Sequence, residues 1–128
     1  MKILLDTNIL LWIAADTLPK KAEEYILDET NELLFSSASI WEVVIKNGLG
    51  RSDFEVDPLS LYTGLIEYGY EQLAITAGHT LLIGNLPKLH NDPFDRVMIA
   101  QSISEGIPFL TSDEKLCKYP AHIIHIKK

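Results

Sequence analysis

Short, continuous apolar runs alternate with helical patterns along this chain, and this alternation constrains the fold more than any other feature. The first run, Lys2–Leu5, ends at Asp6 as a strand buried in a parallel sheet would. Strands separated by helices indicate β-α-β crossovers and a mainly parallel sheet covered on both faces. We therefore predict an α/β fold.

The complete pattern predicts both the strands and the helices that connect them. The predicted strands are Lys2–Leu5, Leu33–Ser36, Glu71–Ile75, Phe109–Thr111 and Ile123–Ile126. The predicted helices are Thr7–Ala15, Leu18–Glu29, Ser39–Asn47, Asp57–Tyr68, Thr76–Ile83, Asp92–Glu105 and Asp113–Lys118. In parallel sheets of this kind, ligands bind beyond the carboxyl ends of the strands.

Length and composition are typical of one compact domain, so we expect residues 1–128 to form a single domain. Of the 128 residues, 47% are hydrophobic, which is sufficient for one core. Cys117 is the only cysteine, so no disulfide can form within the chain, and a reducing compartment is favoured. The apolar run Ile9–Ala15 is far shorter than the ~20 residues that cross a bilayer. We expect a cytoplasmic protein without a membrane segment.

The net charge of −7 argues against nucleic-acid binding when it is considered alone, because phosphates are contacted mainly by Lys and Arg. The argument weakens if several acids share one metal pocket, since bound divalent cations reverse the local field. Basic residues are then expected along the rim of that pocket. The candidates are Lys46, Arg51, Lys88, Arg96, Lys115, Lys118, Lys127 and Lys128.

Asp6 and Glu42 each have a structural and a chemical interpretation. Asp6 follows a predicted strand and begins a helix, so it is either an N-cap or a site residue. Glu42 is the only charged residue in the window 38–45. A carboxylate on so apolar a helix is expected to be paired or functional, and Lys46 at i+4 is a possible partner. We favour a functional role for Glu42.

Asp95 and Asp113 also allow two interpretations. With Asp92 as N-cap, Asp95 falls at the third helical position, where an acid complements the cap and the helix dipole. Capping is therefore the favoured role when Asp95 is considered alone. Thr111 and Glu114 fit a capping box, which leaves Asp113 either a cap or a site residue.

The four acids become a stronger signal when they share one location. Carboxylates brought together repel one another, and their pKa values rise unless a cation neutralises them. Mg²⁺ and Mn²⁺ prefer such oxygen ligands, and they support phosphodiester cleavage by activating water. The sequence contains no P-loop, no G-x-G-x-x-G and no motif for a nucleophilic serine or cysteine. We therefore predict a site for a divalent cation.

Several short motifs, in this order, resemble the PIN-domain family and, more closely, VapC-type toxins of bacterial toxin–antitoxin pairs. The motifs are Leu4-Leu5-Asp6-Thr7-Asn8, Ser39-Ile40-Trp41-Glu42, His90-Asn91-Asp92-Pro93-Phe94-Asp95-Arg96, Ile99-Ala100-Gln101 and Thr111-Ser112-Asp113. The resemblance covers nearly the whole chain. It implies a three-layer α/β/α sandwich with a central, mainly parallel sheet.

The resemblance also implies roles for individual residues. The implied catalytic, metal-binding acids are Asp6, Glu42, Asp95 and Asp113, and the possible supporting residues are Asn8, Thr111, Asp92 and Arg96. Two roles are open for Arg96, which either binds phosphate or pairs with a site carboxylate. For His90 we weigh a ligand or phosphate contact against a loop or capping role, and we favour the latter.

The implied function is that of an Mg²⁺- or Mn²⁺-dependent endoribonuclease, the toxin of a type II toxin–antitoxin system that inhibits translation or growth. The implied partners are an RNA substrate, a small cognate antitoxin and a second copy of the chain in a homodimer. Two alternatives stay open. One is a PIN-like nuclease in RNA processing, and the other is an inactive module that binds RNA or protein.

The first predicted helix is apolar around most of its circumference, although a helix that covers a sheet needs only one apolar stripe. One explanation is that the next helix covers the excess surface. The residues available for this are Leu18, Ala22, Tyr25 and Ile26. The other explanation is that Leu11 or Trp12 helps to form a groove for an apolar segment of another chain.

Overall fold

The computed structural model describes residues 1–50 and 55–127, and in these residues five strands form one sheet. The strands are β1 (Lys2–Leu5), β2 (Glu32–Ser36), β3 (Glu71–Leu73), β4 (Phe109–Thr111) and β5 (Ile123–His125). Their order is β3-β2-β1-β4-β5, and every neighbouring pair is parallel. The predicted parallel sheet is thus confirmed.

The connecting segments are helical, as the sequence predicts. The helices are α1 (Thr7–Ala14), α2 (Lys20–Ile26), α3 (Ser37–Gly48), α4 (Pro58–Glu67), α5 (Ala77–Ile83) and α6 (Pro93–Glu105), followed by a short 3-10 helix (Glu114–Lys118). Within the described residues, none of these helices is both long and apolar enough to cross a bilayer.

The second helix is shorter than the predicted Leu18–Glu29 because local side-chain and proline geometry limits it at both ends. Pro19 is its N-cap and has an extended backbone, so the helix begins at Lys20. Near the other end, the Asp28 carboxylate accepts hydrogen bonds from the backbone N–H and the hydroxyl of Thr30. This local bonding stabilises a turn in place of another helical residue.

Both faces of the sheet are buried, so the fold has three layers. Successive residues of β1 point to opposite faces, with Ile3 and Leu5 in one core cluster and Leu4 in the other. The first cluster contains residues from α1, α2 and α4: Ile9, Leu10, Ala22, Leu61 and Leu65. The second contains residues from α6 and the 3-10 helix: Val97, Met98, Ile99, Ala100 and Leu116. The predicted three-layer α/β/α sandwich is confirmed.

The strand order also fixes where a ligand site is expected. From central β1 the chain proceeds to β2 and β3 on one side and then returns to β4 and β5 on the other. The order therefore reverses between β1 and β4, where ligands bind in open α/β sheets. Asp6 follows β1 directly, and Asp113 follows β4 after one intervening residue, Ser112.

The first explanation for the apolar first helix is confirmed, and the groove for another chain stays a prediction. The four covering residues of the 18–26 segment do pack with α1 in the first core cluster. Leu11 also lines a groove of about 450 Å³ between α1 and α4, together with Leu61, Leu65 and Tyr68. Trp12 is partly buried against the core cluster.

Candidate metal centre

Asp6 lies at the carboxyl end of β1, where two hydrogen bonds hold its carboxylate. The Thr7 backbone N–H donates to Oδ1 over 2.7 Å, and the Thr111 hydroxyl donates to Oδ2 over 2.6 Å. Asp6 is 5% exposed, so these donors replace most of its water. Asp6 thus caps α1 and also lies among the acids of the candidate site, and the two interpretations from sequence do not exclude each other.

Glu42 is equally buried, and both of its carboxylate oxygens have partners. The Thr7 hydroxyl donates to Oε1 over 2.7 Å, and Lys46 Nζ lies 2.7 Å from Oε2. The Thr7 hydroxyl also lies 2.8 Å from that of Ser39, which is three residues before Glu42 on the same face of α3. The i+4 partner considered from sequence is present, and it joins a network that reaches the end of β1.

Asp95 lies at the third position of α6 with Asp92 as the N-cap, as the sequence predicts, and its carboxylate also has a partner outside the helix. His90 lies in the segment that precedes the helix, and its Nε2 is 2.8 Å from Oδ2 of Asp95. The N-cap is Asp92, whose Oδ1 accepts the backbone N–H groups of Phe94 and Asp95. Because Asp92 supplies the cap, the Asp95 side chain is available to the site.

Asp113 and Thr111 differ from the predicted capping box. Asp113 is itself the N-cap of the 3-10 helix, and its Oδ1 accepts the backbone N–H of Lys115 over 2.9 Å. The Thr111 hydroxyl accepts the backbone N–H of Asp113 over 3.0 Å while it donates to Asp6. The capping box of Thr111 with Glu114 was therefore wrong, and Thr111 instead connects the ends of β1 and β4.

The pKa of Asp6 is raised to about 6 from its usual 3.8. Burial is the main cause, because it removes water from the charged form. The hydrogen bonds from Thr111 and Thr7 lower the pKa, and the neighbouring charges of Glu42 and Asp113 raise it. Without a cation, the site therefore resists full ionisation.

The pKa of Asp95 is raised further, to about 7. Burial is again the largest cause, followed by the charges of Asp6 and Asp92. The hydrogen bond to His90 lowers the pKa in part, and Glu42 adds a smaller repulsive effect. The four predicted acids are thus electrostatically connected, since Asp6 responds to Glu42 and Asp113, and Asp95 responds to Asp6 and Glu42.

Within the described residues Arg96 makes no ion pair with a site carboxylate, and its role in binding phosphate stays a prediction. Its guanidinium donates to the backbone carbonyls of Ile83, Pro87 and His90 and to the Tyr119 hydroxyl. These bonds direct the Arg96 side chain towards the 84–92 segment. They supply the hydrogen-bond donors that the partly buried carbonyl oxygens need. Its expected place on a basic rim stays a prediction.

The other supporting and basic residues have less distinct positions. Asn8 is exposed in the first turn of α1, beside Asp6 in sequence. Among the basic candidates that the structure describes, Lys46 forms an ion pair with a site acid, Glu42. Arg51 and Lys128, also expected on the rim, lie outside the described residues.

The carboxylates occur in two groups at one edge of the sheet. Asp6 and Glu42 are linked through Thr7 and form the inner group. Asp95 and Asp113 form the outer group with His90, and one potential ligand atom from each lies within 4.8 Å of the other two. These carboxylates fit a divalent cation, because such a cation prefers oxygen ligands and its positive charge would favour the ionised forms of Asp6 and Asp95, whose pKa values are raised.

The chain belongs to the PIN domain family, whose sequence profile matches residues 3–121. Comparison with curated proteins gives no significant match. Among solved structures, the chain is similar to VapBC2 from Rickettsia felis bound to a promoter DNA fragment (TM-score 0.72, 18% identity) and to DNA-bound VapBC from Salmonella typhimurium (TM-score 0.70, 15% identity). It is also similar to VapBC-1 from nontypeable Haemophilus influenzae (TM-score 0.67, 17% identity). In all three comparisons the alignment covers 98% of both chains.

For His90 a loop or capping role was favoured from sequence over a ligand or phosphate contact, and its side chain contacts Asp95. Thr7 was not named as a site residue, although it contacts both inner acids. Ser39 and Glu42 are three residues apart, so they lie on one face of their helix, and Thr7 carries a hydroxyl just after the first strand. This combination was the signal that could have indicated Thr7.

Proposed function

We propose that this PIN-domain protein is an Mg²⁺- or Mn²⁺-dependent endoribonuclease that hydrolyses RNA phosphodiester bonds. The proposed catalytic and metal-binding residues are Asp6, Glu42, Asp95 and Asp113, within a single nuclease domain. The observation that supports this proposal best is the electrostatic coupling of these acids at the switch point of the sheet. Burial and neighbouring negative charge disfavour the ionised forms of Asp6 and Asp95 in the metal-free protein, and such perturbed acids in one place are typical of functional sites.

The chain's own residues prepare the site for this chemistry. Thr7 and Thr111 orient the Asp6 carboxylate from opposite sides, and Thr7 also fixes Glu42. Lys46 holds the second oxygen of Glu42. When a divalent cation is bound by these acids, it supplies positive charge that lowers the pKa of water and stabilises the charge that develops on the phosphate.

RNA cleavage by an Asp6 variant tests the proposal. We expect wild-type protein to cleave a labelled single-stranded RNA with Mn²⁺ or Mg²⁺ and to be inactive in EDTA. Asp6→Asn should lower the rate at least ~10²-fold, since it changes a ligand while it keeps side-chain volume. Asp16→Asn is the matched control, because Asp16 is exposed and asparagine tolerates its positive φ of 56°. Undiminished cleavage by pure, folded Asp6→Asn would contradict the proposal.

We further propose that the protein is the toxin of a type II toxin–antitoxin system and acts in the cytoplasm. The likeness in fold to structures described as VapBC complexes supports this role. Expression of wild-type protein alone should arrest growth, and Asp6→Asn should not. Growth arrest by both proteins would indicate a binding module, whereas cleavage without arrest would favour a nuclease in RNA processing.

The proposed antitoxin partner has a suitable surface in the α1–α4 groove. Apolar side chains of Leu11, Leu61 and Leu65 line it, so an amphipathic helix of the partner can bury its apolar face there. A basic side chain of that partner, most simply an arginine, would then bind the acids in place of metal. We expect a stable co-purified complex that has no ribonuclease activity.

Leu11→Glu tests the groove assignment. The variant should fold and cleave RNA, but it should bind the cognate antitoxin at least ~10-fold more weakly, because a charge would be buried at the contact. Leu81→Glu is the matched control, since Leu81 is 76% exposed on α5. Equal binding by both variants would place the antitoxin surface elsewhere.

We also propose that the chain forms a homodimer, and the exposed apolar face of α3 supports this. Trp41, Val44 and Ile45 on this face are 57%, 49% and 41% exposed. Contiguous apolar residues of this kind are typical of interaction sites. Val44→Lys should convert a dimer to a monomer in sedimentation measurements, and a wild-type monomer would contradict the proposal.

A further inference from the structure

His90 adds a nitrogen atom to a group of acids whose other ligand atoms are oxygens. Its Nε2 lies 2.8 Å from Oδ2 of Asp95, and the His90 side chain is 18% exposed. Ligand atoms of His90, Asp95 and Asp113 all lie within 4.8 Å of one another. Side chains from a loop, a helix and a strand end therefore converge on one small volume.

These separations are compatible with ligands around a single cation. With metal–ligand distances near 2.1 Å, octahedral ligands lie about 3 Å apart when adjacent and about 4.2 Å apart when opposite. The contact between His90 and Asp95 is close to the adjacent distance. The third member, Asp113, lies within the range that small side-chain rotations can adjust.

Contacts from outside this group fix the backbone that carries His90. The guanidinium of Arg96 and the hydroxyl of Tyr119 both donate to the His90 carbonyl oxygen, each over 3.4 Å. Arg96 also binds the carbonyls of Ile83 and Pro87, at the end of α5 and in the segment that follows it. Arg96 thus positions the segment through its backbone carbonyls, and the imidazole of His90 faces Asp95.

We propose that His90 is a ligand of the divalent cation through Nε2, and that it increases the preference of the site for a first-row transition ion such as Mn²⁺ over Mg²⁺. This proposal rests on the proposed function, because it concerns the cation of the same site. Mg²⁺ favours hard oxygen ligands, whereas imidazole nitrogen suits transition ions. Binding through Nε2 requires the neutral tautomer with its proton on Nδ1, so the hydrogen bond to Asp95 is given up when the cation binds.

Calorimetric titration with each metal alone tests the preference. Metal-free wild type, His90→Ala and His122→Ala are titrated with Mn²⁺ and then with Mg²⁺. His90→Ala should weaken Mn²⁺ binding at least ~10-fold and Mg²⁺ binding by less than ~2-fold. His122→Ala should change neither, because His122 is exposed and precedes β5, at the opposite edge of the sheet. An equal loss of both metals in His90→Ala, or no loss, would overturn the proposal.

Pulsed electron paramagnetic resonance of Mn²⁺ bound to the wild-type protein gives a readout that needs no folded variant. A ¹⁴N coupling to the bound Mn²⁺ is expected if Nε2 is a ligand, and its absence would overturn the proposal. If that coupling is absent while Asp6→Asn still abolishes RNA cleavage, only the role of His90 fails. A protein that binds neither metal would overturn this proposal and the proposed function together.

Discussion

The inner and outer carboxylate groups of the site are held in different ways. Asp6 and Glu42 are each 5% exposed, and hydroxyl groups from buried threonines bind them. Asp95 has a side chain that is 14% exposed, and its partner is the titratable ring of His90. The inner group lies at the end of β1 and on α3, whereas the outer group combines the first turn of α6, the 84–92 segment and the start of a short 3-10 helix.

This difference suggests how the two groups divide their roles. The inner acids have partners that are fixed by the core, so they form a preorganised half of the site. The outer acids lie at the starts of α6 and the 3-10 helix, and their partner His90 lies in a segment that is held by the side-chain bonds of Arg96. We infer that the inner group sets the position of a cation, and that the outer group determines which cation binds and how tightly.

The largest predicted effect concerns the pH dependence of stability in the metal-free protein. The pKa of Asp95 is about 7 in the folded protein against a usual 3.8, so the folded state retains a proton that the unfolded chain loses. The free energy of unfolding in EDTA should therefore fall as pH rises from about 4 to about 7. Asp95→Asn should remove on the order of 3 kcal/mol of this fall, as measured by denaturant unfolding across that range.

Asp16→Asn serves as the control for this measurement, because it removes an exposed acid outside the site. It should leave the pH dependence of the wild type nearly unchanged. If the free energy of unfolding depended on pH in the same way in Asp95→Asn and Asp16→Asn, the raised pKa of Asp95 in the outer group would be contradicted.

A smaller effect is expected from the threonine that connects the two groups. Thr111→Val keeps the side-chain shape but removes the donor to Asp6 and the acceptor for the Asp113 backbone. Loss of a buried hydrogen bond to a carboxylate should lower the free energy of unfolding by about 2 kcal/mol at pH 8. Thr63→Val, at an exposed position on α4, should change it by less than about 0.5 kcal/mol. A similar change in the free energy of unfolding for both variants would show that the hydrogen bonds of Thr111 do not stabilise the inner group.

The smallest effect should come from Lys46, the counter-ion of Glu42. Its side chain is 42% exposed, so Lys46→Met should cost only about 1 kcal/mol in EDTA. A cation bound to Glu42 would replace the missing charge, so the cost should shrink further with saturating Mn²⁺. Thermal melts of Lys46→Met and the control Lys46→Arg, with and without Mn²⁺, measure both values. A cost that grows with Mn²⁺ would show that Lys46 does not act as a substitute for the metal charge.

The elements that carry the inner group could be predicted from the sequence because they are regular. The Lys2–Leu5 strand is a continuous apolar run, and Glu42 is conspicuous as a charge in an apolar helix. Hydrophobic pattern therefore located the strand that precedes Asp6 and the helix that contains Glu42, and the alternation of strands and helices predicted the parallel sheet.

The outer group was harder to predict because its geometry depends on non-local side-chain bonds. Arg96 binds carbonyls on the preceding segment, and no periodic pattern in the sequence indicates that choice. The same bonds hold the backbone of His90, and no local pattern indicates that its side chain contacts Asp95. Thr111 was misassigned because a four-residue capping pattern also occurs where the hydroxyl has a closer partner across the sheet.

The most direct test of the central claim is whether the two groups form one cation site. Saturating Mn²⁺ should stabilise the wild-type protein by about 2.7 kcal/mol when present at 100 times its Kd. Asp6→Asn from the inner group and Asp95→Asn from the outer group should each lose most of this stabilisation, while Asp16→Asn should retain it. Unchanged Mn²⁺ stabilisation in either site variant would contradict the claim that both groups hold the same cation.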